Sequence, residues 1–175
     1  MRTIYDVLLI VLAVKFLFCS VAKLRWYRDT ILFASNLEYF PDQLGRILGM
    51  ILPLFELAMF ISLLLFNSIY TYVLICFYCL FFIALNIKVI TERKSVACFC
   101  YGKLIKSKLG FGGFFNFSCY LIITIICLLI SSDSLLVVMD TIRLNEILPI
   151  SLASIGIFWG VLLGQLYGDQ LSGRV

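Results

Sequence analysis

The sequence predicts an all-α integral membrane protein, a four-helix transmembrane bundle with a fifth C-terminal span and a short interfacial helix. Composition is the first reason. Of 175 residues, 63% are hydrophobic and 14% are charged, against about 45–50% and about 25% in soluble domains. The second reason is five apolar stretches, each near the roughly 20 residues needed to cross about 30 Å of hydrocarbon. The third is a one-sided distribution of basic residues between them. A soluble enzyme, a secreted disulfide module and a disordered chain are excluded. The absence of histidine removes the residue central to haem, zinc-protease and Ser-His-Asp chemistry, and no metal site is expected. Seven cysteines leave thiols as the candidates for covalent chemistry. The net charge of +4 reads as membrane topology, and no nucleic-acid partner is expected.

The first span covers residues 4–22. Lys23, Leu24 and Arg25 follow it in place of a small-x-small cleavage site, so it is expected to be retained as a helix. Residues 45–66 and 69–90 form the second and third spans. Little more than Asn67-Ser68 joins them, which makes them an antiparallel pair. Residues 28–43 lie between the first and second spans. Ile31, Leu32, Ser35 and Tyr39 fall there at helical spacing among polar residues, the pattern of a helix lying in the interface. The fourth span covers 114–130, preceded by Gly110, Gly112 and Gly113, and the fifth covers 149–167. Residues 91–113 form the one long loop, polar, basic and glycine-containing, in the class of segment that carries function on a rigid scaffold. Neither a repeat nor a linker interrupts the chain, and residues 1–175 read as a single domain.

Orientation follows from the excess of Lys and Arg on cytoplasmic loops. One face receives Lys23, Arg25, Arg28, Arg46, Lys88, Arg93, Lys94, Lys103, Lys106, Lys108 and Arg174, and the other only Arg2 and Arg143. That split of 11 to 2, with Lys15 inside a span, accounts for all 14 basic residues. It predicts a multi-pass protein of the bacterial cytoplasmic (inner) membrane, in contact with lipid, with its N-terminus outside and the 91–113 loop inside.

Cys98-Phe99-Cys100-Tyr101-Gly102 is the strongest local feature of that loop. Arg93, Lys94, Lys103, Lys106 and Lys108 surround it, and nearby cations favour the reactive thiolate. A Cys-x-Cys pair can close a small, strained and easily reduced ring. With Phe99 between them, a bridge to another cysteine or to a partner's thiol is as good a solution. Cys76 and Cys79 have C-x-x-C spacing, but inside an apolar span they read as packing residues. Cys19 and Cys119 fall near the loop ends of spans one and four, where a relay with Cys98 or Cys100 is an alternative to simple packing. Cys127 falls deeper.

Lys15 and Glu56 are the other anomaly. An ionisable group near the bilayer centre costs at least about 2.5–3.5 kcal/mol and is usually paired or functional. Each lies about 11 residues into its own span, and the spans run in opposite directions. Similar depth predicts a Lys15–Glu56 ion pair, which either fixes helix packing or floors a polar pocket. Pro53, three residues before Glu56, is expected to kink or open its helix and free a backbone carbonyl.

Cys19-Ser20-Val21-Ala22-Lys23-Leu24, Tyr39-Phe40-Pro41, Leu52-Pro53-Leu54-Phe55-Glu56-Leu57 and the cysteine loop occur in an order that resembles the MauE branch of the DoxX-like membrane proteins. The loop resembles that family's C-G-C-F-G motif, with Phe99 for the middle Gly and Tyr101 for Phe. Where the family opens its next helix with Arg-Asn, this chain has Phe115-Asn116. The resemblance covers roughly residues 10–130. It implies a four-helix bundle, a thioredoxin-like partner, and disulfide formation in, or maturation of, exported proteins. It also implies redox roles for Cys98 and Cys100 and marks Lys23, Pro53, Glu56, Gly102 and Asn116 as family positions. Maturation of exported substrates would favour a loop outside the cytoplasm, whereas the charge split places it inside; the charge split decides the expectation here.

Two functions follow as expectations. The first is thiol–disulfide exchange with a partner through Cys98 and Cys100, for which a membrane quinone would be the natural electron acceptor, although no residues in the sequence mark a quinone site. The second is a non-enzymatic membrane scaffold or accessory subunit that binds a partner protein and whose cysteines are structural.

Overall fold

The computed structural model describes residues 2–35, 41–66, 68–92, 96–98, 107–130 and 144–172. Its helices are α1 (Arg2–Arg25), α2 (Tyr27–Ser35), α3 (Asp42–Leu65), α4 (Ile69–Thr91), α5 (Phe111–Ile130) and α6 (Leu144–Ser172). Between α4 and α5 lie two three-residue strands, β1 (Val96–Cys98) and β2 (Ser107–Leu109). Five helices are long and apolar enough to cross a membrane, the last over Pro149–Gln170. The fold is therefore all-helical in its bundle, with four membrane-length helices, an added C-terminal one and the short helix α2 between the first two.

α1 is the most enclosed of the five helices. Leu9, Val11, Leu12, Ala13, Phe16 and Cys19 are buried, because α1 packs against α3, α5 and α6 together. Outward-facing positions on the other spans are large and apolar, for example Leu54, Phe77, Ile122 and Leu163. Water would penalise such a surface, and lipid does not.

The two ends of the bundle are set by contacts between helices. The Tyr5 and Tyr72 hydroxyls hydrogen-bond at 3.1 Å, so α1 and α4 begin at the same end and run parallel. At the opposite end, α2 folds back onto the start of α3 through two glycines. A Cβ on Gly45 would lie 2.4 Å from the Ala34 carbonyl oxygen, and one on Gly49 would lie 2.8 Å from Ile31 Cα. Nothing lies within 4 Å of a Cβ on Gly156 in α6. Gly45→Ala is therefore expected to destabilise the protein by about 1–3 kcal/mol through overpacking. Gly156→Ala should be neutral or gain up to about 1 kcal/mol of helix propensity. Unfolding midpoints of the two variants in the same detergent check the contrast.

α3 is continuous through Pro53, and the carbonyl of Pro53 accepts a 2.9 Å hydrogen bond from the Ser20 hydroxyl of α1. That bond ties the first two spans together at the polar centre. α5 begins three residues earlier than expected, because Gly112 and Gly113 are its first turn rather than loop. The Phe114 N–H donates to the Gly110 carbonyl at 2.8 Å, closing that turn. Gly110 itself has φ +149° with open space around it, so glycine is needed here for backbone conformation rather than for room.

Candidate functional site: a buried lysine–glutamate centre beneath a cysteine hairpin

A run of polar side chains crosses the interior of the bundle. Lys15, Cys19 and Lys23 recur at four-residue spacing on α1 and all three are buried. Glu56 of α3 is fully buried. One of its carboxylate oxygens, Oε1, accepts from Lys23 Nζ and from the Tyr78 hydroxyl of α4. Its second oxygen, Oε2, has no hydrogen-bond partner among the described residues. A carboxylate in hydrocarbon is held only when cations and hydrogen-bond donors replace its hydration, and here an ammonium and a phenol supply that replacement.

The expected Lys15–Glu56 pair is not the one that forms; Lys23 takes the carboxylate. A depth counted along the sequence does not say which face of α1 meets α3. Ser20 marks the side of α1 that touches α3. At about 100° per residue, Lys23 lies roughly 60° around the helix from Ser20 and Lys15 roughly 140°. Lys15 therefore points away from α3. Its ammonium lies 4.2 Å from the ring centroid of Tyr120, 4.8 Å from Phe16, 4.9 Å from Phe117 and 5.4 Å from Tyr78. It makes no hydrogen bond to the described residues, among which ring quadrupoles face this cation. The surrounding rings also pack on one another, with Phe82 and Phe117 stacked at 4.7 Å.

Above this centre, the chain leaving α4 forms an antiparallel ladder that pairs Val96 with Leu109, Ala97 with Lys108 and Cys98 with Ser107. Cys98 is thus the last residue of β1. Cys100 and Gly102 lie outside the described residues. The ladder is tied to the bundle through Asn86 of α4, which is fully buried. Asn86 Nδ2 donates to the Phe82 carbonyl at 2.7 Å, and the Gly110 N–H donates to Asn86 Oδ1 at 2.9 Å. Leu109, at the end of β2, is buried in the core.

Among the described residues, Cys19, Cys76, Cys79, Cys119 and Cys127 are free thiols. Cys19 faces the interior beside the two lysines, whereas Cys119 is half-buried on α5. Asn116 is buried on the α5 face that also carries Gly112 and Tyr120. No group of three or more Cys, Asp or Glu suited to holding a metal occurs among the described residues.

Sequence reasoning missed Tyr78 and Asn86. Tyr78 was hidden because an aromatic in an apolar span reads as packing. Asn86 carried a usable signal, being a lone amide inside a hydrophobic run, where a polar group must find a partner. The fully buried Gln165 and the nearby Asp169 of α6 were also missed.

Fold and site together define a class: a multi-pass membrane protein with a buried ion-pair centre and a short cysteine-bearing hairpin at one end. The family model described as methylamine utilisation protein MauE matches residues 1–131, and the chain belongs to that family. No curated protein matches the chain, and no solved structure does. α6 lies beyond the matched residues.

Proposed function

We propose that this member of the MauE family supports thiol–disulfide exchange in, or maturation of, an exported or partner protein, with Cys98 and Cys100 as the exchanging pair. The observation that carries the reading is the anchoring of the hairpin. Asn86 and Gly110 fix the base of the ladder on the bundle, and Cys98 ends its first strand. A chain segment anchored in this way presents its cysteines to a docked partner from a fixed base.

In the exchange, one thiolate of the pair attacks a partner disulfide, forming a mixed disulfide and releasing one partner thiolate. The second thiol then attacks the mixed disulfide and releases the other partner sulfur as a thiol. Two electrons pass to the partner and the cysteine pair ends oxidised; the reverse sequence oxidises the partner. A thioredoxin-like protein suits either direction, and a membrane quinone would serve if the pair is reoxidised within the bilayer. The basic residues flanking the pair in sequence raise its thiolate fraction.

The family's description directs the search for a client first to proteins of methylamine utilisation. Arg25, Arg28, Arg46 and Lys88 belong to the same end of the bundle as the hairpin, which supports a cytoplasmic loop in the inner membrane. Labelling of Cys98 and Cys100 by an impermeant thiol reagent in intact cells is expected to fail until the membrane is opened. Ready labelling of intact cells would reverse the orientation.

The scaffold reading draws on the five described free thiols, all within membrane-crossing helices. The Cys98→Ser, Cys100→Ser double variant separates the two readings. Loss of client disulfide turnover at normal abundance supports exchange, and full function supports the scaffold.

A further inference from the structure

We propose that the C-terminal helix α6, outside the family-matched residues 1–131, is a positioning element for the cysteine hairpin, acting through Gly168 and Asp169; the inference rests on the exchange reading above.

α6 and the start of α5 meet backbone to backbone. A Cβ on Gly168 would lie 2.9 Å from Gly112 Cα and 3.0 Å from Gly112 N. A Cβ on Gly112 would lie 2.2 Å from the Gln165 carbonyl oxygen and 2.3 Å from Asp169 Oδ1. Neither glycine tolerates a side chain without displacing one helix. The Asp169 carboxylate also lies at the N-terminal turn of α5, where unpaired N–H groups and the helix dipole favour an anion.

Residues 110–113 are gripped by α4 from the other side. A Cβ on Gly113 would lie 2.2 Å from Asn86 Oδ1, and that oxygen accepts the Gly110 N–H. Gly110 follows Leu109, the residue that ends β2. β2 packs against α4, α5 and α6. Residues 110–113 are therefore clamped between Asn86 on one side and Gly168 with Asp169 on the other, and the strand paired with Cys98 leaves directly from that clamp. Displacing α6 at Gly168 shifts the base of the ladder, while the Lys23–Glu56 centre is held by α1, α3 and α4 without α6.

The test uses the full chain in lipid nanodiscs and follows maleimide alkylation site by site by mass. Gly168→Leu is expected to change the Cys98 alkylation rate by at least about threefold, since that rate follows a thiol's exposure and thiolate fraction, both of which depend on where the ladder is held. The Cys119 rate serves as the reference and should change far less, while the thermal midpoint is expected to fall through overpacking and a single cooperative transition shows that the variant is folded. Gly156→Leu, on the same helix in open space, should keep the wild-type Cys98 rate. Should Gly168→Leu fail to fold, Gly168→Ala and Asp169→Asn take its place, with a smaller Cys98 change in each.

A wild-type Cys98 rate in the folded variants overturns the proposal. So does an equal change in Gly156→Leu, or a change shared by Cys119. A shifted Cys98 rate with unaltered client turnover would leave the positioning role standing and remove the exchange reading instead.

Discussion

Lys23→Met is expected to destabilise the protein by about 3–5 kcal/mol, the cost of leaving a buried carboxylate without its cation. Glu56 is fully enclosed, and in this variant the Tyr78 hydroxyl would be its sole remaining hydrogen-bond donor among the described residues. Lys15→Met should behave differently. The Lys15 ammonium faces four rings rather than a carboxylate, and methionine fills the same space with an unbranched apolar chain. Its loss removes cation–π attraction worth about 0.5–2 kcal/mol but leaves no charge stranded. The Lys23→Met, Glu56→Leu pair, which removes both charges, should recover much of the loss. Unfolding midpoints in one detergent rank the variants. Equal losses for Lys15→Met and Lys23→Met would show that the lysines share Glu56, against the pairing described here.

The second large effect concerns activity instead of stability. Cys98→Ser with Cys100→Ser is expected to lower client disulfide turnover by about 10²-fold or more, since a serine hydroxyl cannot replace the attacking thiolate. The unfolding midpoint should move far less than in Lys23→Met, since the exchange role draws on the chemistry of the two thiols and a sulfur-to-oxygen change leaves no charge stranded. Lys23→Met and the cysteine variant thus leave opposite signatures, one in unfolding and one in turnover. Turnover in the cysteine variant matching wild type would favour a scaffold.

The spans were legible because hydropathy over about 20 residues is a strong signal, and the helices at Asp42–Leu65 and Ile69–Thr91 lie close to the expected segments. Lys15 and Glu56 were legible as anomalies for the same reason, but their partners were not. Depth can be counted along a sequence, whereas the choice between Lys15 and Lys23 depends on which face of α1 meets α3. Gly112 and Gly113 read as loop because glycine usually punctuates. In α5 they make room for Asp169 and Gln165 of the C-terminal helix and Asn86 of α4, partners that local sequence does not reveal. The strands were beyond reach: three residues each carry no usable periodicity, and the bond that holds the end of β2 to the bundle, Gly110 N–H to Asn86, reaches back to the preceding helix. Cys98 was singled out by composition and neighbouring charge. Its place on a ladder tied to α4 was not, because that place is set by a buried amide in the preceding span.

The exchange reading is tested most directly by trapping the mixed disulfide. In cells carrying Cys100→Ser, an attack begun by Cys98 cannot be resolved by its neighbour. Acid quenching followed by non-reducing separation and mass mapping is expected to recover a partner protein linked through Cys98. Cys98→Ser gives the corresponding adduct through Cys100 if that thiol attacks first, and the double variant gives none. Cys98 and Cys100 recovered as free thiols in the wild type and in both single variants, with no adduct in any of them, would contradict the reading.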